Sequence, residues 1–331
     1  MKRGWGARRS SWRGGSASRW AILGLALAAS VSAVPANRAD AADVPAVVVT
    51  IKPIHSLVSR IMEGVGTPLL LVDGAASPHS FALRPSQVQA VDNAAMLIRV
   101  SGRLEPFTDK VARALPEGVA LVTLVDAPGL RLLGQRANGT FDRHAHAFGA
   151  AHADDDPSVA DSHIWLDPDN AKAIGAYVAK LLETRFPDHA ARLQANARQL
   201  GADIDALTVE LKALTEPLRD KPFVVFHDAY QYFDSRFDLD AVGSITITPD
   251  VQPSAKRLIE LRRKIHELKA VCVFAEPLFQ PRLVAALTEG TNARSGTLDP
   301  EGLGLAPGPQ LYFVLMRNLG ASLKSCLSPS A

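Results

Sequence analysis

Seven apolar residues constrain this chain more than any others. Leu193, Ala197, Leu200, Ile204, Leu207, Leu211 and Leu214 recur at alternating spacings of four and three. That pattern is one unbroken stripe along a helix face. From Pro187 to Leu214 the helix would run roughly 40 Å at about 1.5 Å per residue, long enough to lie across two lobes. A coiled-coil dimer is the competing use of such a stripe. A single short segment containing small alanines argues against it.

On both sides of the stripe, short apolar runs alternate with helical stretches. Before it, strands are expected at Val47–Ile51, Leu69–Val72, Met96–Val100 and Ala120–Leu124. Pro53 and Pro85 open two of the intervening helices, and a third carries Phe107, Val111 and Leu115. After it, strands are expected at Phe223–Phe226, Ala241–Ile245, Val271–Phe274 and Arg294–Leu298. Helices are expected at Ala229–Phe237, Ser254–Leu268, Pro281–Glu289 and Gln310–Leu323. Such alternation implies parallel sheets flanked by helices. The expected fold is therefore α/β, with two lobes, each holding one parallel sheet, joined by one long backbone helix. The segments are a leader at 1–41, a first lobe at 42–186, a linking helix at 187–218 and a second lobe at 219–331. The stretch 126–162 interrupts the alternation. It carries His144, His146, His152 and Asp154 to Asp156, and is expected to be a mobile surface loop.

The leader is a basic start ending at Arg19, an uncharged run from Trp20 to Ala36, and small residues around Ala41. This is the pattern of a cleaved export signal. The run is short for a bilayer span, so no stable membrane anchor is expected. The formal charge is +2, and residues 1–41 hold seven cationic residues and one acidic, so the mature chain carries −4. A mildly acidic protein is a poor partner for nucleic acid. The two cysteines, Cys272 and Cys326, are expected to pair in an oxidising compartment.

His79 follows the second expected strand, His227 follows Phe223–Phe226 directly, His163 precedes Ile164-Trp165-Leu166-Asp167-Pro168, and Asp299 follows the last strand. Ligands of parallel α/β sheets bind beyond the carboxyl ends of strands. Three imidazoles and one carboxylate arriving there suit Zn²⁺. Spacing alone makes this a weak signal, because the four residues lie 64 to 84 positions apart.

The surrounding strings are more specific. They are Asp73-Gly74-Ala75-Ala76-Ser77-Pro78-His79-Ser80, Leu83-Arg84-Pro85-Ser86, His163 to Pro168, Phe226-His227-Asp228-Ala229-Tyr230, Phe274-Ala275-Glu276-Pro277 and Gly296-Thr297-Leu298-Asp299-Pro300. In this order they resemble the periplasmic zinc-binding, ZnuA-type components of high-affinity zinc ABC importers, within the cluster A-I metal-binding proteins. The likeness runs from about Val47 to Cys326. It implies zinc held between the lobes by His79, His163 and His227, with Asp299 or a water as fourth ligand. It also implies a His-rich acidic loop, here His144, His146 and His152, as an auxiliary metal segment, and a disulfide in the second lobe. The implied protein is a soluble periplasmic monomer that delivers Zn²⁺ to a membrane permease and is not an enzyme. Two features depart from the family. Many members carry Glu before the first ligand, where Pro78 stands here, and the His-rich loop is short. Glu276 is a candidate to orient a ligand from outside the first shell, as are Asp228 and Tyr230. His55 is read as supporting or structural. Manganese-type relatives place a carboxylate at the position of His227, so imidazole there favours zinc. The competing functions are a manganese or iron carrier of the same fold, a zinc hydrolase, and a periplasmic zinc buffer. No compact hydrolase motif occurs.

Overall fold

The computed structural model describes residues 46–74, 76–136, 141, 160–246, 249, 253–278 and 281–328. In its first half the apolar runs form β1 (Val47–Val49), β2 (Leu69–Leu70), β3 (Met96–Arg99) and β4 (Ala120–Thr123). All pair in parallel, in the order β2-β1-β3-β4. Parallel neighbours need crossovers, and α1 (Lys52–Ile61), α2 (Pro85–Asp92) and α3 (Thr108–Ala114) supply them. β1 is fully buried. That explains its Val-Val-Val sequence, since a strand covered on both faces need not alternate.

Two helices follow. The sequence reading missed α4 (Pro168–Arg185). Its start is strongly marked: the Asp167 side chain accepts the Asp169 N–H, and Pro168 sits in the first turn. Its buried face, Ile174, Val178 and Leu182, is interspersed with Ala171, Gly175 and Ala179. A stripe so rich in small residues is hard to see in sequence. It allows a close approach, because a Cβ on Gly175 would lie 3.0 Å from Leu200 of the next helix. That helix, α5 (Ala190–Thr215), is the long one. Leu193, Leu200, Ile204, Leu207 and Leu211 are buried along it, with Ala197 and Leu214 partly so.

The second half repeats the first. β5 (Phe223–His227), β6 (Ala241–Thr246), β7 (Cys272–Ala275) and β8 (Arg294–Thr297) form a parallel sheet in the order β6-β5-β7-β8. The crossovers are α6 (Gln231–Phe237), α7 (Ala255–Glu267) and α8 (Pro281–Thr288). The last helix, α9 (Leu311–Leu327), packs on α5. Gly320 permits this contact, since a Cβ there would lie 2.7 Å from Leu214 and 3.1 Å from Leu211. Cys272 and Cys326 are bonded, with Cα atoms 6.1 Å apart, tying α9 to β7. The largest apolar cluster runs from Val47 through α4 and α5 to Leu327, so both lobes share one core.

The surface-loop reading of 126–162 fails at both ends. Leu132, Leu133, Phe141, Ala160 and Asp161 are buried, and Gly134 pairs with Ala160 in an antiparallel bridge. The leader 1–41 and His144, His146 and His152 lie outside the described residues. No described helix is long and apolar enough to cross a membrane.

Candidate metal centre

His227 is the last residue of β5, and burial on both sides of that strand fixes its backbone. His163 caps the short helical turn Ile164–Leu166 that leads into α4. His79 lies on the connection between β2 and α2. The three come together, with one ring nitrogen from each within 4.8 Å of the others. Ring centroids are 5.2 Å apart for His163 and His227, 6.0 Å for His79 and His163, and 6.1 Å for His79 and His227.

Two carboxylates settle which nitrogens face inward. Asp161 Oδ1 lies 2.7 Å from His163 Nδ1, and the Glu276 oxygens lie 2.7 and 2.8 Å from His227 Nδ1. A carboxylate accepts, so each Nδ1 carries the proton and each Nε2 presents a lone pair. Glu276 is itself held by the Tyr230 hydroxyl at 3.0 Å. The two Nε2 atoms then face each other at 3.3 Å. Two lone pairs at that distance repel unless a cation lies between them. Ligands about 2.0–2.1 Å from a tetrahedral Zn²⁺ are themselves separated by about 3.3 Å. A shared proton spans the same gap, so protons and metal compete for it.

The charges agree with this. Burial alone would lower the His227 pKa. The opposing pull of Glu276, through charge and hydrogen bond, and of Asp228 and Asp161, raises it above the ordinary value. Burial depresses His79 to about 2, helped by His163 and His227, so its ring stays neutral. His79 Nε2 is buried without a hydrogen-bond partner. Three neutral imidazoles backed by two carboxylates offset the charge of one divalent cation. A neutral three-His shell without such carboxylates would leave a buried +2 charge uncompensated.

Other residues fall elsewhere. Asp299 does not join the trio. Its Oδ1 accepts the N–H groups of Glu301 (3.1 Å) and Gly302 (2.8 Å), and its Oδ2 accepts that of Leu303 (2.7 Å). The turn is possible because Gly302 adopts φ +69°, and it engages both oxygens of the side chain that the sequence reading offered, with water, as the fourth ligand. Asp228 Oδ1 lies 3.6 Å from Arg136, and the carboxylate acts on His227 through its charge. His55 Nε2 lies 3.0 Å from the Pro68 carbonyl, away from the cluster. Trp165 is buried, and its Nε1 donates to the Pro300 carbonyl at 2.9 Å. Sequence reasoning missed Asp161. Its only signal was a carboxylate two residues before a candidate ligand.

Two parallel α/β lobes on a shared helical backbone, with three imidazoles gathered at a strand end, define a bilobed metal-binding protein. Residues 47–326 match the family profile described as zinc-uptake complex component A, periplasmic, and the chain belongs to that family. A Brucella suis relative, described as high-affinity zinc uptake system protein ZnuA, is 44% identical over 305 residues, covering 85% of this chain and 91% of its own. A Yersinia pestis relative of the same description is 35% identical over 318 residues, covering 94% and 98%. Among solved structures, one described as ZnuA superposes with TM-score 0.69 at 24% identity, covering 86% of this chain and all of its own. The periplasmic zinc-binding protein TroA of Treponema pallidum superposes with TM-score 0.71 at 19% identity, covering 86% and 99%. At those identities the solved structures speak for the fold alone.

Proposed function

We propose that the exported protein captures Zn²⁺ through His79, His163 and His227 and delivers it to the membrane permease of an ABC importer. The observation that carries this reading is the pair of Nε2 atoms held face to face by Asp161 and Glu276. In this reading the fourth position is a water, because the Asp299 oxygens are engaged by backbone. An all-nitrogen protein shell favours zinc over manganese, which prefers oxygen. The carboxylates touching the cluster rings both accept imidazole N–H groups. Neither is free to act as a general base, which supports transport over hydrolysis. Family membership supports a periplasmic location and a permease partner. We further propose that the protein acts as a monomer, and that His144, His146 and His152 collect zinc as an auxiliary segment. The test is competition between zinc and manganese for the mature protein, paired with growth of a deletion strain in chelated medium. Preference for manganese, or growth that added zinc does not restore, contradicts the proposal.

The raised His227 pKa sets the pH dependence. Metal needs the Nε2 lone pair, so protons compete with it. Zinc affinity is expected to start falling while the pH is still above about 6.5, the ordinary His value. The zinc-free protein behaves oppositely. A folded pKa above the unfolded one stabilises it fully below about 6.5, and that stability is lost as pH rises through the raised value. Above about pH 6.5, where His79 is neutral in both the folded and the unfolded chain, rising pH should raise zinc affinity and lower the zinc-free denaturant midpoint. Parallel curves would contradict the assignment.

A further inference from the structure

His163 and His227 are each fixed by a carboxylate. Among the described residues no carboxylate touches the His79 ring, so its placement depends on the connection that carries it. That connection includes Asp73, and the residue facing Asp73 is Lys52, with Nζ 3.5 Å from Oδ1. Lys52 is costly where it stands. It is the first residue of α1, where the helix dipole disfavours a cation, and it is 4% exposed. Its compensation comes mostly from the other lobe. Nζ donates to the Leu303 carbonyl at 3.0 Å and to the Leu305 carbonyl at 3.1 Å. Leu303 and Leu305 belong to the turn that the Asp299 carboxylate closes from within and Trp165 Nε1 holds at Pro300. Burial, together with the charges of Asp299, Glu276 and Glu105, pushes the neighbouring Glu301 carboxyl well above its ordinary pKa, and Lys52 opposes them. One buried ammonium therefore touches both Asp73, on the His79 connection, and the second-lobe turn.

We propose that Lys52 is a positioning residue that couples the placement of His79 to the second lobe, so that zinc release requires its bonds to Leu303 and Leu305 to break. This rests on the zinc reading above. The Asp73 pair is half exposed and contributes little alone, whereas the two carbonyl bonds are buried. Zinc on His79 should therefore stabilise the 299–305 turn, although the turn offers it no ligand.

The experiment compares zinc-loaded mature parent, Lys52→Met and Asp73→Asn. Zinc release to excess EDTA is followed by stopped flow. Hydrogen exchange is followed at 299–305 with and without zinc. In Lys52→Met, release is expected to quicken by about 5-fold to 150-fold, the range of ordinary coupling between sites. Zinc should slow exchange at Leu303 and Leu305 in the parent and have no effect there in Lys52→Met, although the variant still binds one equivalent. A purely structural role would lower stability while leaving that zinc response intact. Release indistinguishable from the parent's, or a surviving zinc response in the turn, overturns the proposal. If Lys52→Met does not fold, Asp73→Asn decides. It should release zinc about 2-fold to 5-fold faster, and an unchanged rate counts against the coupling. A parent that retains no zinc overturns the zinc reading and this inference together, before any variant is compared.

Discussion

Replacing His227 with alanine is expected to weaken zinc binding by roughly two orders of magnitude. Structural zinc sites with four protein ligands bind with about 10–16 kcal/mol, so each protein ligand, here one of three, is taken as roughly 3 kcal/mol. His227 should sit at the upper end of the three. Its loss also strands Glu276, a 5% exposed carboxylate whose oxygens lie at 2.7 and 2.8 Å from the ring nitrogen. A buried charge without its partner adds a cost in folding. His227→Ala should therefore lose stability even without zinc. His79→Ala should lose affinity alone, because its ring nitrogen has no other partner to leave behind. Competition titrations and denaturant midpoints on the two variants check this. Equal losses of zinc-free stability would contradict the pairing of Glu276 with His227 Nδ1, and parent-like affinity in His227→Ala would remove the site.

The second large effect concerns a residue that never touches the metal. Glu276→Gln keeps the shape of the side chain and removes its charge. Outer partners of metal-bound histidines commonly change affinity by about 10-fold to 100-fold. The variant should lie in that range at neutral pH. The same substitution removes the strongest influence that raises the His227 pKa. Proton competition should then begin at lower pH than in the parent, so the affinity profile falls in height and shifts toward acid. A loss of affinity with an unshifted profile would mean that Glu276 acts through packing alone.

Much of the fold was legible because its signals are local. Valine-rich runs such as Val47–Val49 and the Leu193–Leu214 stripe report burial directly. α4 was not legible, because its contact with α5 uses small residues such as Gly175, and small residues leave no amphipathic signature. The three histidines that converge were legible only through the strings around them. Convergence depends on how two sheets are set on α4, α5 and α9, which no spacing reveals. The support around them was partly hidden for the same reason. Glu276 stands at a strand end beside His227, and strand order makes them neighbours. Asp161 reaches His163 by a local turn that carries no pattern. Asp299 looked like a ligand from its motif. Its capture by the N–H groups of Glu301, Gly302 and Leu303 depends on the positive φ of Gly302, a property of the folded turn.

In the proposed function three imidazole nitrogens, and no carboxylate of Asp299, hold one zinc ion between the lobes. X-ray absorption spectroscopy of the zinc-loaded mature protein tests it most directly, with bound equivalents counted on the same sample. The expected spectrum is a four-coordinate shell of nitrogen and oxygen at about 2.0–2.1 Å, with multiple-scattering features of three imidazoles. That spectrum should be unchanged in Asp299→Asn and reduced to two imidazoles in His79→Ala. A shell with fewer than three imidazoles in the parent, or one that loses an oxygen ligand in Asp299→Asn, would contradict the account.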